Sequence, residues 1–143
     1  MPNIKLTSRE LKYIALFQDL TGATVKDCII VEEDNSVIFV VKRGEAGIAI
    51  GKGGMNVKAL RKMLGKDVKI VEDGETAEEL VKNSLAPARV KSVKLIETSG
   101  KKTLYVVVEP EDRGLAIGKG GRNINKARLL LKRYFDVEDV VII

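Results

Sequence analysis

The chain has 143 residues, of which 45% are apolar, so it suits one ordinary domain or two small ones and is too short for a large enzyme. It contains no histidine, which removes the commonest general base and zinc ligand, and its one cysteine, Cys28, has no partner for an internal disulfide. No apolar run has bilayer or signal-peptide length, so the sequence predicts a cytoplasmic protein with no membrane contact. Its acidic residues lack the spacing of a calcium loop, and no acid-base or nucleophilic group of residues is evident, so we expect no metal, cofactor or enzymatic activity.

The first half of the chain predicts a helix, a β-hairpin, two further helices and a last strand. Thr7 and Glu10 have the spacing of a capping box at the start of the first helix, which ends at Thr21-Gly22. The hairpin strands, the short helix after them and the last strand are predicted at residues 25–31, 37–42, 44–50 and 68–71. The longer helix before the last strand has an apolar stripe of Val57, Leu60, Met63 and Leu64.

The second half of the chain predicts the same order of elements. Thr76 and Glu79 form the second capping box, and Pro87 stops the helix that follows them. The hairpin strands, short helix and last strand are predicted at residues 90–97, 103–109, 111–117 and 137–143. The apolar stripe of the longer helix is Ile124, Ala127, Leu130 and Leu131.

The order α-β-β-α-α-β therefore occurs twice, with a boundary near residues 73–75. We expect an α+β fold with two domains, residues 1–73 and 74–143. Because the connector is too short to act as a flexible linker, we expect the two domains to pack against each other as one rigid unit.

An offset of 67 residues aligns the two halves without a gap, and nine identities fall between Gly47 and Arg61. The centre of this repeat is the pentapeptide IGKGG, at residues 50–54 and 117–121. Each copy leads into a stretch with several basic residues and no acidic one, residues 51–66 and 118–133. Glycine is a poor choice for a core or a helix, so its recurrence here needs a functional reason.

Three glycine-rich phosphate-binding loops compete as explanations. A Walker A loop needs four residues between its first glycine and Gly-Lys-Ser/Thr, but three separate Gly114 from Gly118, and Gly120 stands where the hydroxyl residue is needed. A Rossmann motif needs glycine where Asn56 and Asn123 stand. The third candidate is the helix-GxxG-helix loop, and both copies resemble the KH motif I-G-x-x-G-x-x-I.

Two such motifs in this order of elements resemble the tandem type II KH domains of the NusA transcription factor family. Bacterial members also carry a polymerase-binding domain and an S1 domain, for which this sequence has no room, so the resemblance is to the short archaeal form. It implies a non-enzymatic protein that binds single-stranded RNA during transcription elongation, pausing, termination or antitermination. RNA polymerase is a hypothetical further partner, and the protein is expected to be a monomer.

The resemblance also implies which residues contact RNA: the glycine loops hold phosphates, and an aliphatic groove beside each loop receives bases. The loop residues are Gly51, Lys52, Gly53, Gly54, Gly118, Lys119, Gly120 and Gly121. The groove residues are Ile48, Ala49, Ile50, Val57, Leu115, Ala116, Ile117 and Ile124. Further contacts are expected from Asn56, Lys58, Arg61, Arg122, Asn123, Lys126 and Arg128.

Several alternatives stay open from the sequence alone. Ile50, Val57, Ile117 and Ile124 could be ordinary core residues. Lys58, Arg61, Lys126 and Arg128 could form a solvated helix face, although the runs contain no acid to pair with them. Asn56 and Asn123 could cap a helix or contact a base. The ligand could be single-stranded DNA, and the function could be ribosome assembly, RNA decay or protein interaction through a KH fold.

Overall fold

The structure, a computed structural model, describes residues 5–143. These residues form two compact units, 5–73 and 74–143, each with one three-stranded sheet and the predicted order α-β-β-α-α-β. The first comprises α1 Ser8–Thr21, β1 Val25–Val31, β2 Ser36–Val41, α2 Ala46–Ile50, α3 Met55–Leu64 and β3 Asp67–Glu72. The second comprises α4 Ala77–Leu85, β4 Val90–Thr98, β5 Lys101–Val108, α5 Arg113–Ile117, α6 Arg122–Phe135 and β6 Asp139–Ile142.

In each sheet the middle strand pairs with both neighbours. β2 is antiparallel to β1 and parallel to β3, and β5 has the same relation to β4 and β6. A short turn is enough for the antiparallel pair, but a parallel pair needs a crossover connection. The short and the long helix on either side of each GKGG loop form this crossover. The loop therefore lies within a connection that the parallel strand pair requires. Within residues 5–143, none of these helices has the length and apolar composition needed to span a bilayer.

The core of the first domain is built around β2, whose residues are all buried. Phe39 of this strand packs against Phe17 of α1, with ring centroids 4.3 Å apart. Ala49 of α2 and Leu60 of α3 belong to the same fully buried cluster. Cys28 also lies there with no exposed surface.

The predicted apolar stripes are confirmed for α6 but only in part for α3. Leu60 is fully buried, and Val57 and Leu64 pack against the core, but Met63 is 53% exposed, so its assignment to the buried stripe was wrong. At about 100° per residue, Met63 is turned by roughly 90° from the centre of the face formed by the other three. In α6 all four stripe residues are buried.

Threonine caps begin the first helix of each domain. Thr7 Oγ1 accepts from the Glu10 amide at 3.3 Å and the Glu10 carboxylate accepts from the Thr7 amide at 2.7 Å, which confirms the first capping box. Thr76 Oγ1 accepts from the Glu79 amide at 3.1 Å, and the Glu79 carboxylate accepts from the Glu75 amide at 3.0 Å. These bonds satisfy backbone donors that a helix start leaves without partners.

A buried carboxylate fixes the turn before α5 to the start of β4. Asp112 accepts from the backbone N–H and from Nε of Arg89, both at 2.8 Å. At the equivalent position of the first domain, the Glu45 carboxylate accepts from the Thr24 amide at 2.6 Å. In both domains, therefore, an acidic side chain next to the short helix positions that helix relative to the sheet.

We expect Asp112→Asn to lower the Tm of the protein most strongly near neutral pH. Hydrogen bonds from Arg89 lower the pKa of Asp112, so its contribution to stability is present above the pKa of the unfolded chain. That contribution is lost as the pH falls through the lower pKa of the folded state. The Tm difference between the natural protein and the variant, measured by circular dichroism, should therefore shrink from about pH 7 to about pH 2.

Glu111→Gln is the matched control, because Glu111 pairs at 3.3 Å with the same guanidinium in an exposed position. Exposed ion pairs contribute little, so its Tm should stay close to that of the natural protein across the same pH range. A similar pH-dependent loss in both variants would contradict the role assigned to Asp112.

Candidate nucleic-acid interface

The two IGKGG segments have the same backbone conformation. Gly51 and Gly118 both have φ 79°, with ψ 164° and 167°, and Gly53 and Gly120 both have φ 64°. In each copy the short helix ends at isoleucine, GKGG makes one tight turn, and the longer helix begins directly after it. The sequence repeat is thus also a repeat of backbone geometry.

The first glycine of each loop is required by close contact inside the protein. A Cβ on Gly51 would lie 2.9 Å from Cγ and Nδ2 of Asn56, and a Cβ on Gly118 would lie 2.8 Å from Cβ and N of Asn123. Both glycines also have positive φ, which side chains disfavour. This glycine therefore closes the loop against the start of the next helix.

The second glycine of each loop faces open space. A Cβ on Gly53 or Gly120 would have no neighbour within 4 Å. Lys52 and Lys119 precede these glycines, are exposed, and make no hydrogen bond or ion pair within residues 5–143. Another molecule can therefore approach the backbone closely beside an unpaired cation, as a sugar-phosphate chain requires.

The longer helices begin without side-chain caps. Gly54 and Gly121 occupy the N-cap positions of α3 and α6, and neither start receives a capping bond from a side chain of the described residues. In contrast, α1 and α4 begin with threonine caps. The positive end of the helix dipole therefore meets the open loop, an arrangement that favours a bound anion.

Asn56 and Asn123 tie the start of the longer helix to the short helix. Asn56 Nδ2 donates to the carbonyl of Ile48 at 3.0 Å, and Asn123 Nδ2 donates to the carbonyls of Leu115 at 3.1 Å and Leu85 at 3.2 Å. The sequence left open whether these side chains cap a helix or contact a base. In the structure, the amide nitrogens donate to these backbone carbonyls and so join the start of the longer helix to the helices before it.

Four of the eight predicted groove residues are exposed, and all four lie on the short helices. Ile48 and Ile50 are 53% and 40% exposed, and Leu115 and Ile117 are 53% and 42% exposed. Large aliphatic side chains next to an open glycine loop give each domain an apolar surface on which a base can pack. For Ile50 and Ile117 the ordinary-core alternative therefore does not hold.

The other four groove residues support that surface from below. Ala49 and Ala116 are fully buried, Ile124 is 7% exposed, and Val57 packs against the core. The two alanines have no exposed surface to offer to a ligand. Burial therefore leaves the two alanines, and nearly all of Ile124, within the domain core.

Two of the predicted RNA-binding arginines have acidic partners from the strand that follows their helix. Arg61 Nε lies 3.0 Å from Asp67 of β3, and Arg128 Nε lies 3.0 Å from Asp139 of β6. Each guanidinium also donates to a carbonyl of that strand. The inference that these cations lack an acid to pair with was wrong, because the acids lie just beyond the acid-free runs and the fold returns them to the helix.

The remaining cations of the two runs fall into two groups, those that are buried or paired and those that are exposed without a partner. Lys126 is buried, and Lys132 pairs with two carboxylates. Within residues 5–143, the exposed cations of these runs that make no hydrogen bond or ion pair are Lys52, Lys58, Lys62, Lys119 and Arg122. Lys62 was not among the predicted contacts, although its spacing of four residues from Lys58 places both on one helix face.

The two copies differ at the residue directly after the loop. Met55 in the first domain is 63% exposed, and Arg122 occupies the equivalent position of the second. The sequence prediction omitted Met55, although its place one residue after GKGG could have identified it. The first loop is therefore flanked by an apolar side chain and the second by a cation.

We expect Gly118→Ala to destabilise the protein more than Gly120→Ala. The first change places a Cβ against Asn123 at a positive φ and should cost about 2 kcal/mol or more. A Cβ on Gly120 meets no neighbour, so only its positive-φ backbone conformation should lower the free energy of unfolding, by about 1 kcal/mol. Urea denaturation of both variants measures the difference, and equal losses would contradict the closing role of the first glycine.

Comparisons with known proteins agree with this geometry. A KH domain family model matches residues 12–95, and a model of the NusA-like second KH domain matches residues 77–141. The chain is 43% identical to the "Probable transcription termination protein NusA" of Halobacterium salinarum, over 96% of each chain. It is 35% identical to the protein of the same name from Methanococcus vannielii, over 98% of this chain and 80% of that one.

A solved structure has the same fold. The crystal structure of APE1850 matches with a TM-score of 0.84 and 45% sequence identity, over 96% of this chain and 100% of that one. The resemblance that the sequence suggested is thereby confirmed, and so is the α+β fold of two tandem KH domains. The chain belongs to the archaeal NusA-like family of tandem KH-domain proteins.

Proposed function

We propose that this protein is a single-stranded RNA-binding transcription factor that acts in elongation, pausing, termination or antitermination. The observation that carries the proposal is the duplicated loop, in which an open glycine, an unpaired lysine and an uncapped helix start occur together. The relatives named as transcription termination proteins support the biological setting.

Each loop would hold the RNA backbone while the adjacent short helix contacts the bases. Phosphates approach at Gly53 and Gly120, where no side chain intervenes, and the helix dipole and the loop lysine favour their negative charge. Bases pack on the exposed aliphatic side chains of α2 and α5. The protein works by binding and not by catalysis, as a monomer in the cytoplasm, with RNA polymerase as a further partner.

We expect the variant Lys52→Asp, Gly53→Asp, Lys119→Asp, Gly120→Asp to bind single-stranded RNA at least about a hundredfold more weakly than the natural protein. Aspartate is among the residues that tolerate the positive φ of Gly53 and Gly120, and a Cβ at either position meets no neighbour, so the variant should fold. Fluorescence anisotropy over a salt series measures the affinity, with a log-log slope of about 0.7 per phosphate contact in the natural protein.

A matched control separates loop contacts from overall charge. The control is the double variant Lys12→Asp with Gly22→Asp, and the loop variant is Lys52→Asp with Gly53→Asp. In both, the lysine is exposed and unpaired, and the glycine has a positive φ and no neighbour near its Cβ position. Only the loop pair should weaken RNA binding, with folding checked by circular dichroism. Equal binding by the natural protein and the folded loop variants would refute the RNA clamps and favour a protein-interaction module.

A polymerase contact is tested separately. Affinity purification of the tagged protein from its own cells, in mild salt and after nuclease treatment, should retain RNA polymerase subunits. The fourfold loop variant is the control, because a direct contact should survive the loss of RNA binding. If polymerase is absent from both samples, the polymerase part of the proposal fails while RNA binding stands.

A further inference from the structure

The β4–β5 hairpin of the second domain carries a basic surface that the loops do not explain. Residues 25–41, the β1–β2 hairpin, contain one lysine against four acidic residues, whereas residues 90–108 contain four lysines against one glutamate. The two hairpins have the same fold and the same place in the repeat. The reversal of charge is therefore a property of these side chains and not a requirement of the fold.

The strand register divides this hairpin into two faces. Lys94 lies opposite Tyr105, and Lys101 lies opposite Thr98. Because side chains alternate along a strand, these residues share one face, while Lys102 and the hairpin's one acid, Glu97, lie opposite each other on the second face. We call the first surface the lysine–tyrosine face; its polar residues are Ser92, Lys94, Thr98, Lys101, Thr103 and Tyr105, and Ile96 and Val107 also lie on it.

The lysine–tyrosine face is accessible and positively charged. Lys94 and Lys101 are exposed and make no hydrogen bond or ion pair within residues 5–143, and Tyr105 is partly exposed. Asp139 of β6 lies opposite Thr103 in the adjacent strand, but its carboxylate already pairs with Arg128. The two lysines are therefore left without a local counter-charge.

The chemistry of this face suits single-stranded RNA better than a protein. Lysines and hydroxyl groups bind phosphates and sugars, and an aromatic ring stacks on a base. The core of a protein interface is usually more apolar and depleted of lysine. Of the two exposed apolar residues of β4, Leu95 lies on the other face, and Ile96, 39% exposed, lies on the lysine–tyrosine face between Lys94 and Thr98, so this face has one exposed aliphatic side chain on β4 among polar ones.

We propose that the lysine–tyrosine face is a second RNA-binding surface, which engages a segment of the strand outside the two KH grooves. Lys94 and Lys101 bind phosphates, and a base stacks on Tyr105. The inference rests on the proposed function for the class of ligand. It adds a binding surface that neither glycine loop contains.

The test compares Lys94→Ala with Lys101→Ala against the control Lys82→Ala with Lys102→Ala. Both double variants lose two lysines, but Lys82 lies on α4 and Lys102 lies on the opposite face of the hairpin. Anisotropy is measured with single-stranded RNAs of about 10 and about 30 nucleotides, since a KH groove holds about four nucleotides. Circular dichroism confirms that both variants fold.

The Lys94/Lys101 variant should bind the long RNA about tenfold more weakly, with a salt slope smaller by about 1.4, while the control binds as the natural protein does. Neither variant should change binding of the short RNA. Tyr105→Leu should weaken long-RNA binding severalfold, whereas Tyr105→Phe, which keeps the ring, should not.

The outcomes separate this inference from the proposed function. If the natural protein binds both RNAs and the two lysine variants bind the long RNA alike, the second surface is refuted and the loops remain. Such a result would leave the lysine–tyrosine face to a protein partner. If the natural protein binds neither RNA, the proposed function and the inference both fail.

Discussion

The close approach of the first glycine of each GKGG segment to the asparagine that follows the loop is the contact on which the interface depends. With less than 3 Å available for a Cβ at Gly51 or Gly118, only glycine lets the chain turn back so sharply between two helices. The asparagine amides then fasten the start of the longer helix to carbonyls of the short one. As a result, the second glycine faces open space and the helix start remains uncapped, so both are available to an anion.

Pairing, and not the number of basic residues, determines where the positive charge of this protein is available. Arg61 and Arg128 belong to the basic runs, yet each joins its helix to the following strand through an aspartate and a carbonyl. Removing either arginine would disturb helix packing as well as charge. Unpaired cations also lie elsewhere within residues 5–143, Lys12 on α1 among them, but those at the loops, on one face of α3 and on the lysine–tyrosine face are the ones that the two proposals assign to phosphates.

The two domains have the same backbone fold but differ in their side chains. Met55 and Arg122 follow equivalent loops, and the hairpins that begin the two sheets carry opposite charge. The second domain has a cation directly after its loop and four lysines along its hairpin, where the first domain has Met55 and one lysine.

The sequence by itself determined the order of the elements, the repeat, the threonine caps and the place of the loops, because these depend on local periodicity and on residues a few positions apart. It could not assign the roles of Arg61, Arg128, Ala49 and Ala116, since their partners and burial come from strands and helices that approach only in the folded domain. The same holds for Met63, whose apolar character fits the helix stripe but whose direction lies off the buried face. Tertiary structure decided which glycines serve the fold and which leave room for a ligand, because that distinction rests on the few ångströms around each Cα.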